Sequence, residues 1–501
     1  MKRIVIDPLT RLEGHGRVEI FLDEDGEVAN AYLIVPELRG FEQICVGRPA
    51  EEMPRITNRL CGLCPEAHHM ASAKALDALY GAEPPPAARL IRELFYSAFF
   101  VADHATHFFV LAGPDLILGP DAPRATRTVF GVFQAVGSEV ARQIIACRER
   151  NREVIQMLGG RKIHPAAGLP GGWSVALTEE MRRRVEEIAR ENVELALDFL
   201  RLFESTVLRR PEIAELLVSE GFTDRTYSMG TVDAAGRLNF YDGRIRVVGP
   251  EGEELALFEP AEYARHIAER VEPWTFLKLP YLKAVGWKGL VAGSDSGIYC
   301  ATPLARLNVA AGLATPRAQE CYERMFETLG SRRVDGRYRP IHHRLAAHWA
   351  RLIELLYAAE RMLELATDPR IADPDVRASV AGTPSEGVGC VEAPRGTLIH
   401  HYRTDAQGIL TGVNLIVGTT HNHAPLALSI TRAARSLIRP RMPVSEGLLN
   451  RIEMVIRSYD PCFSCAAHAF PGPGSLVVTL RDHRGAVVGR LGAPAAATAP
   501  A

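Results

Sequence analysis

The chain has 501 residues, 47% hydrophobic and 24% charged, enough to bury a large core in more than one layer. Its 58 basic and 60 acidic residues give a net charge of −2, so there is no electrostatic footprint for nucleic acid or an anionic membrane. Nine cysteines, odd and sparse for this length, argue against a disulfide framework. The N-terminus lacks the apolar run of a signal peptide, and no stretch reaches the roughly 18 uncharged apolar residues of a membrane span, so the expected setting is cytoplasmic.

In chain order, residues 17–23 alternate apolar and polar, Asp25-Gly26 offers a turn, and 29–35 continue a β ribbon. Residues 67–80 read as a helix stopped by Gly81 and Pro84-Pro85-Pro86. Long helical patterns follow over 87–112, 128–158, 178–207, 316–330 and 340–367. Residues 236–258 read as a small β insertion, and a second ribbon covers 397–402 and 410–417. Helices over 424–438 and 444–457 precede a last hairpin pattern, 475–480 with 486–489, and a low-complexity end, 492–501. The expected class is α+β, mainly helical, with a long-helix core and peripheral β ribbons.

Two Cys-x-x-Cys pairs carry the chemistry: Cys61 and Cys64 in Arg59-Leu-Cys-Gly-Leu-Cys-Pro-Glu-Ala-His68, and Cys462 and Cys465 in Asp460-Pro-Cys-Phe-Ser-Cys-Ala-Ala-His468. They lie 398 residues apart, so a site that uses both exists only when the whole fold has closed. The first pair is expected to open a helix and the second to close one. Four thiolates suit a soft metal. By motif shape alone a four-cysteine zinc site, a thioredoxin-like redox pair and an iron–sulfur or heteronuclear thiolate site all remain open, although no βαβ context surrounds either pair.

The residues around the pairs resemble the large subunit of nickel–iron hydrogenases. Thr10-Arg-Leu-Glu13-Gly-His15, Arg39-Gly-Phe-Glu42 and Glu392-Ala-Pro-Arg395-Gly396 look like further blocks of that family, in its order, so the resemblance spans residues 5–468. It implies a buried Ni–Fe centre whose iron carries carbon monoxide and cyanide. Cys61 and Cys462 would be terminal nickel ligands, and Cys64 and Cys465 would bridge to iron. Glu13 matches the acid that exchanges protons with Cys462; its alternative is an ion pair with Arg11. Arg395, with Pro394 beside the diatomic ligands, matches an arginine over the open side of the metals. Asp460 and Asp115 would complete that polar canopy. His68 would hydrogen-bond a cysteine sulfur, while His69, His104 and His107 read as core histidines. Glu42 and His468 match ligands of a further ion, Mg2+ or Fe.

Cys-Pro-Glu-Ala-His-His69, Leu398-Ile-His-His-Tyr402 and Gly418-Thr-Thr-His-Asn-His resemble the cytosolic, multi-subunit branch of the family, whose electron acceptors include NAD(P), a deazaflavin coenzyme and disulfides. The implied activity is reversible heterolytic oxidation of H2. No dinucleotide fingerprint is present, so electrons would leave through an iron–sulfur small subunit, with a diaphorase or other electron-transfer subunit beyond it. Residues 1–468 would form the catalytic domain. Residues 469–501 look like the maturation extension that an endopeptidase removes once nickel-insertion factors have acted. Competing readings are an H2-sensing regulatory subunit, which often lacks such a tail, a related respiratory-complex subunit, which loses the cysteines, and a structural zinc protein.

Overall fold

The computed structural model describes residues 2–469 and two later strands, 478–481 and 487–491. The chain opens with an antiparallel meander of β1 (Lys2–Ile6), β2 (Arg17–Leu22) and β3 (Val28–Ile34), one strand more than the sequence predicts. Val18, Ile20, Ala31 and Leu33 give it a buried face. After Cys64 comes α1 (Pro65–Tyr80), with Pro65 in its first turn and Gly81 as its left-handed C-cap, as the breakers predict.

The core is built from α2 (Pro86–Thr106), α3 (Ser138–Gly159), α4 (Glu179–Phe203) and, later, α5 (Ala347–Thr367), packed against one another. α2 and its continuation, Pro86–Leu116, contain an 18-residue window apolar enough to cross a membrane (mean hydropathy 1.3), but 83% of that window is buried inside the protein. Leu94, Phe95, Phe99, Phe100 and Val101 are all fully buried, and such side chains contribute about 1.5–3 kcal/mol each. The expected helix over 128–158 is two helices, Val129–Val136 and α3, because Gly137 sits at φ 87° between them. Those over 87–112 and 178–207 end in wider single turns, His107–Ala112 and Glu204–Leu208. The helix expected from 340 begins only at Ala347, after a short 3-10 turn.

The insertion is larger than 236–258. β4 (Tyr227–Val232), β5 (Arg244–Val248) and β6 (Glu254–Phe258) pair antiparallel, and the short strand Tyr299–Cys300 adds to β4 in parallel. The second ribbon likewise has three strands, β7 (Glu386–Ala393), β8 (Gly396–Thr404) and β9 (Leu410–Ile416). β7 lies directly on α1. A Cβ at Gly389 would come 2.1 Å from the Ala71 carbonyl oxygen, and one at Gly387 would come 2.4 Å from the Leu79 nitrogen. Only glycine permits this approach, and it fixes the strand that ends at Pro394-Arg395 relative to the helix that begins at Cys64.

Helices α6 (His423–Leu437) and α7 (Glu446–Tyr459) follow. The second Cys pair does not close α7. Asp460, at φ 54° and ψ 55°, ends the helix in the left-handed region; Cys462 then precedes the single turn Phe463–Ala466, and Cys465 lies within it. Aspartate tolerates that conformation better than bulkier residues. The last hairpin is present as β10 (Val478–Arg481) paired antiparallel with β11 (Val487–Leu491); the rest of 470–501 lies outside the described residues.

Candidate metal centre

Cys61, Cys64, Cys462 and Cys465 converge, with all four Sγ atoms within 4.8 Å of one another and all four residues buried. Contacts cross between motifs: Cys462 to Cys61 at 3.3 Å and Cys64 to Cys465 at 3.4 Å, first with first and second with second. Metal–thiolate bonds of about 2.3 Å span a cluster of this size, so the donor set fits soft metals. Burial pushes the Cys462 and Cys465 thiols well above their ordinary range, while the hydrogen bond from Cys462 holds Cys61 well below it. The other five cysteines are free and bring no second such group together among the described residues.

Glu13 reaches the cluster from the loop between β1 and β2. Its backbone pairs with the second motif, Phe463 N donating to Glu13 O at 3.0 Å. Its Oε2 accepts from Cys462 Sγ at 2.9 Å and from Ser464 N at 3.1 Å. Burial, and then the negative Cys61, raise its pKa, the direction that keeps a carboxyl available to both give and take a proton. Arg11 is not its partner; that guanidinium turns to Asp115 at 2.5 Å.

Arg395 follows β7, with its carbonyl held by Asn422 Nδ2 at 2.8 Å. The preceding Ala393 and Pro394 carbonyls accept from the buried Arg306, which also pairs with Glu354 and Glu392. The Arg395 guanidinium spans two carboxylates, Asp103 at 3.3 Å and Asp460 at 3.1 Å. Burial alone would lower its pKa, but Asp103 and Asp460 outweigh that and hold it cationic. Asp460 also lies 3.1 Å from His107 Nδ1. Arg395, Asp103 and Asp460 therefore form one buried polar group, with His107 beside Asp460, and the charges of Cys64 and Cys462 act on the guanidinium.

Asp115 stands elsewhere. It bonds Arg11, Asn450 and Arg457 beneath the N-terminal loop, tying that loop to α7, and has no contact with Arg395. The expectation that it joins the canopy is corrected: Asp115 lies twelve residues beyond Asp103 on the continuation of α2, where Arg11 and Arg457 claim its carboxylate, and it is Asp103 that meets Arg395.

His68 Nε2 sits 3.4 Å from Cys465 Sγ, as expected, and its Nδ1 meets His400 Nε2 at 3.1 Å. Burial lowers His68 to about 4, so the ring is neutral. His69 is satisfied in the core, between the Pro54 carbonyl and Gly168 N. His104 Nε2 meets Glu354 at 2.9 Å, while its buried Nδ1 has no partner.

Glu42 and His468 come together on the far side of Cys465. His468 Nε2 is 3.6 Å from Glu42 Oε1 and 2.6 Å from the Leu415 carbonyl, and its Nδ1 is 2.6 Å from the Cys465 carbonyl. Carboxylate, carbonyl and imidazole form a donor set that fits a hard cation. Lys278, 3.6 Å from Glu42 and 3.3 Å from Glu269, balances the carboxylates. Sequence reasoning missed Leu415 and Thr419, whose Oγ1 accepts from Cys462 N at 2.8 Å, because a carbonyl and a hydroxyl carry no motif. Asp103 had a signal: it is the single acid in the apolar run from Leu94 to Ala112.

The sequence matches the nickel-dependent hydrogenase family over residues 39–128 and 283–468, and the HoxL-like family over 3–38. It is 46% identical to an iron-sulfur subunit of the F420-non-reducing hydrogenase of Archaeoglobus profundus, over 97% of this chain and 99% of that protein. It is 36% identical to the beta subunit of the NAD-reducing hydrogenase HoxS of Cupriavidus necator, again over 97% and 99%. The fold matches a crystal structure of an NAD+-reducing [NiFe]-hydrogenase in the H2-reduced state, with a TM-score of 0.85 and 39% identity over 93% of this chain and 100% of that one. With four buried cysteines converging as such a site requires, the chain belongs to the nickel-dependent hydrogenases, as the large, catalytic subunit of a nickel–iron enzyme.

Proposed function

We propose that this chain oxidises H2 reversibly to protons and electrons at a centre held by Cys61, Cys64, Cys462 and Cys465, with Glu13 as the first proton relay. The observation that carries this reading is the Cys462 Sγ to Glu13 Oε2 contact of 2.9 Å beside the four-thiolate cluster. When bound, the nickel–iron centre, its iron carrying carbon monoxide and cyanide, supplies the Lewis acidity that polarises dihydrogen. Cys61 and Cys462 would be nickel ligands, and Cys64 and Cys465 would serve both metals; the first-with-first and second-with-second contacts support that division. Cys462 Sγ takes the proton and passes it to Glu13, whose raised pKa suits the exchange. Arg395 presents a planar cation over the pocket, held in one orientation by Asp103 and Asp460, with Pro394 lining the wall beside it. His68 steadies Cys465, and Glu42, Leu415 and His468 hold Mg2+ or Fe.

The five remaining cysteines are scattered, so electrons pass to an iron–sulfur small subunit. The relatives are subunits of F420-non-reducing and NAD-reducing hydrogenases, and those names support a multi-subunit complex in which further electron-transfer subunits serve the acceptor. The family match ends at His468, which supports removal of 469–501 in maturation. His468 is fully buried and Ala469 is 1% exposed, so an endopeptidase would have to reach that bond before the segment seats.

Metal analysis of the purified complex tests the reading. It should give one nickel per chain, infrared bands of bound carbon monoxide and cyanide, and a large-subunit mass ending at His468. Stoichiometric zinc without nickel in active protein would overturn it, and a fully active, nickel-loaded chain ending at Ala501 would overturn the cleavage.

A further inference from the structure

A polar cluster that touches none of the thiolates is buried at the end of α7. Asp224, fully buried, accepts from Ser429 Oγ at 2.5 Å and from Arg432 Nε at 2.7 Å; Arg344 Nε lies 3.8 Å away. Arg344 also donates to the Asp224 carbonyl and, at 2.8 Å, to Thr226 Oγ1. Ser429 Oγ is 2.8 Å from the Tyr459 hydroxyl. Because the single Ser429 proton is committed to the carboxylate, Tyr459 must be the donor in that contact. Burial raises the Tyr459 pKa well above its ordinary value, which keeps the donor proton in place. The chain Tyr459 to Ser429 to Asp224 therefore runs in one direction and ends on a carboxylate braced by two arginines.

Its position gives it meaning. Tyr459 is the last residue of α7, immediately before the left-handed turn at Asp460. That turn aims Asp460 at Arg395, 3.1 Å away, and leads within two residues to Cys462, 2.9 Å from Glu13. A left-handed aspartate costs on the order of 1 kcal/mol, so the turn persists only where its surroundings fix it. Ser458, one residue earlier, has its carbonyl held by the buried Arg351 at 2.7 Å. Ser429 and Tyr459 lie within the residues matched to the family, whereas Asp224 comes from the stretch 129–282 outside that match.

We infer that Asp224 is a positioning residue for the metal centre: through Ser429 it fixes the Tyr459 hydroxyl, and with it the turn that sets Asp460 against Arg395 and Cys462 against Glu13. The inference rests on the proposed function for its consequence in turnover, and on geometry alone for the clamp. Three of its members act in series, so removing any one should release the same turn.

The test uses the intact complex with Tyr459→Phe, Ser429→Ala, the double variant, Asp224→Asn and Asp224→Ala. Nickel content should stay at the wild-type level. Tyr459→Phe and Ser429→Ala should each lower kcat about ten- to a hundredfold with little change in KM for H2, since misplacement by about 1 Å costs that order. They should also shift the infrared bands of the centre, and the double variant should be no worse than either single one. Asp224→Asn, which keeps an acceptor for Ser429, should retain more activity than Asp224→Ala. A crystal structure of Tyr459→Phe should show the Asp460–Arg395 contact lengthened. Wild-type kcat and unmoved bands in both Tyr459→Phe and Ser429→Ala would overturn the inference, as would an unmoved Asp460–Arg395 contact. If the wild-type protein held zinc alone, the proposed function would fail, and the Asp460–Arg395 geometry would still decide the clamp.

Discussion

Replacing Glu13 by glutamine isolates proton transfer from everything else this residue does. The side chain is half-buried, and its Oε2 takes hydrogen bonds from Cys462 Sγ at 2.9 Å and Ser464 N at 3.1 Å. An amide of the same shape can present one oxygen to Ser464 and keep the loop seated, but it cannot accept the Cys462 proton and pass it on. General acid–base groups contribute roughly 10²–10⁴-fold, which corresponds to about 2.7–5.4 kcal/mol of barrier. Stability should not fall. Burial raises the folded-state pKa of Glu13, so its contribution is fully present below the unfolded carboxyl value and is lost as pH rises through the folded one. Above that folded value the ionised carboxylate is a cost that glutamine removes. Hydrogen–deuterium exchange in D2O is the assay, because it requires cleavage of dihydrogen and a mobile proton but no electron acceptor. Exchange and dye reduction should fall together by that factor at unchanged nickel content and thermal midpoint. Near-wild-type exchange in a fully metallated Glu13→Gln protein would refute the relay and send the proton out by another route.

Arg395→Lys keeps the charge but satisfies only one of Asp103 and Asp460; metal content should hold while H2 oxidation drops by orders of magnitude, and an unaffected rate would reduce Arg395 to a structural role. Asp115→Asn leaves Arg11 and Arg457 without their shared carboxylate and should cost about 3–5 kcal/mol, read as a lowered thermal midpoint, with exchange intact below it; lost exchange at an unchanged midpoint would return Asp115 to the catalytic group. His69, lowered by burial to about 4, accepts from Gly168 N at Nε2 and faces the Pro54 carbonyl at Nδ1, so protonation breaks a bond. Its depressed pKa contributes stability that is present above about 6.5 and lost as pH falls toward 4, at most about 3 kcal/mol. His69→Gln should flatten the slope of denaturation midpoint against pH in that window, and an unchanged slope would refute the assignment.

The thiolate site was legible in the sequence because it is written in motifs: cysteines at fixed spacing, with Glu13, Arg395 and His68 in recognisable local company. Element types came through where periodicity was long, as in α1, α4 and α5. Boundaries shifted where a single backbone event outweighed the pattern, at Gly137 between two helices and at Asp460 after α7. The partners that complete the site were hidden. Asp103 faces Arg395 from 292 residues away, and Thr419 supports Cys462 across 43. Thr419 has nothing in its own neighbourhood that announces its role, and Asp103 only its lone charge in an apolar run, because each role is defined by the packing of one element against another. Asp115 shows the converse error: a suggestive Gly-Pro-Asp places it near the site in sequence terms, while two arginines claim its carboxylate in space.

The site also joins parts of the chain that no local unit could unite. Glu13 comes from the first meander, Cys61 and Cys64 from the start of α1, Asp103 from α2, Arg395 from the end of β7, and Cys462 and Cys465 from beyond α7. The close approach of β7 to α1, made possible by Gly387 and Gly389, sets the first pair against Arg395. The backbone bond from Phe463 to Glu13 sets the second pair against the Glu13 carboxyl. A change at either junction moves several functional groups at once, so its effect on turnover should exceed its effect on stability. The glycines of β7 bear on the site without entering it, because a Cβ at Gly389 would drive the strand off α1 and carry Arg395 with it.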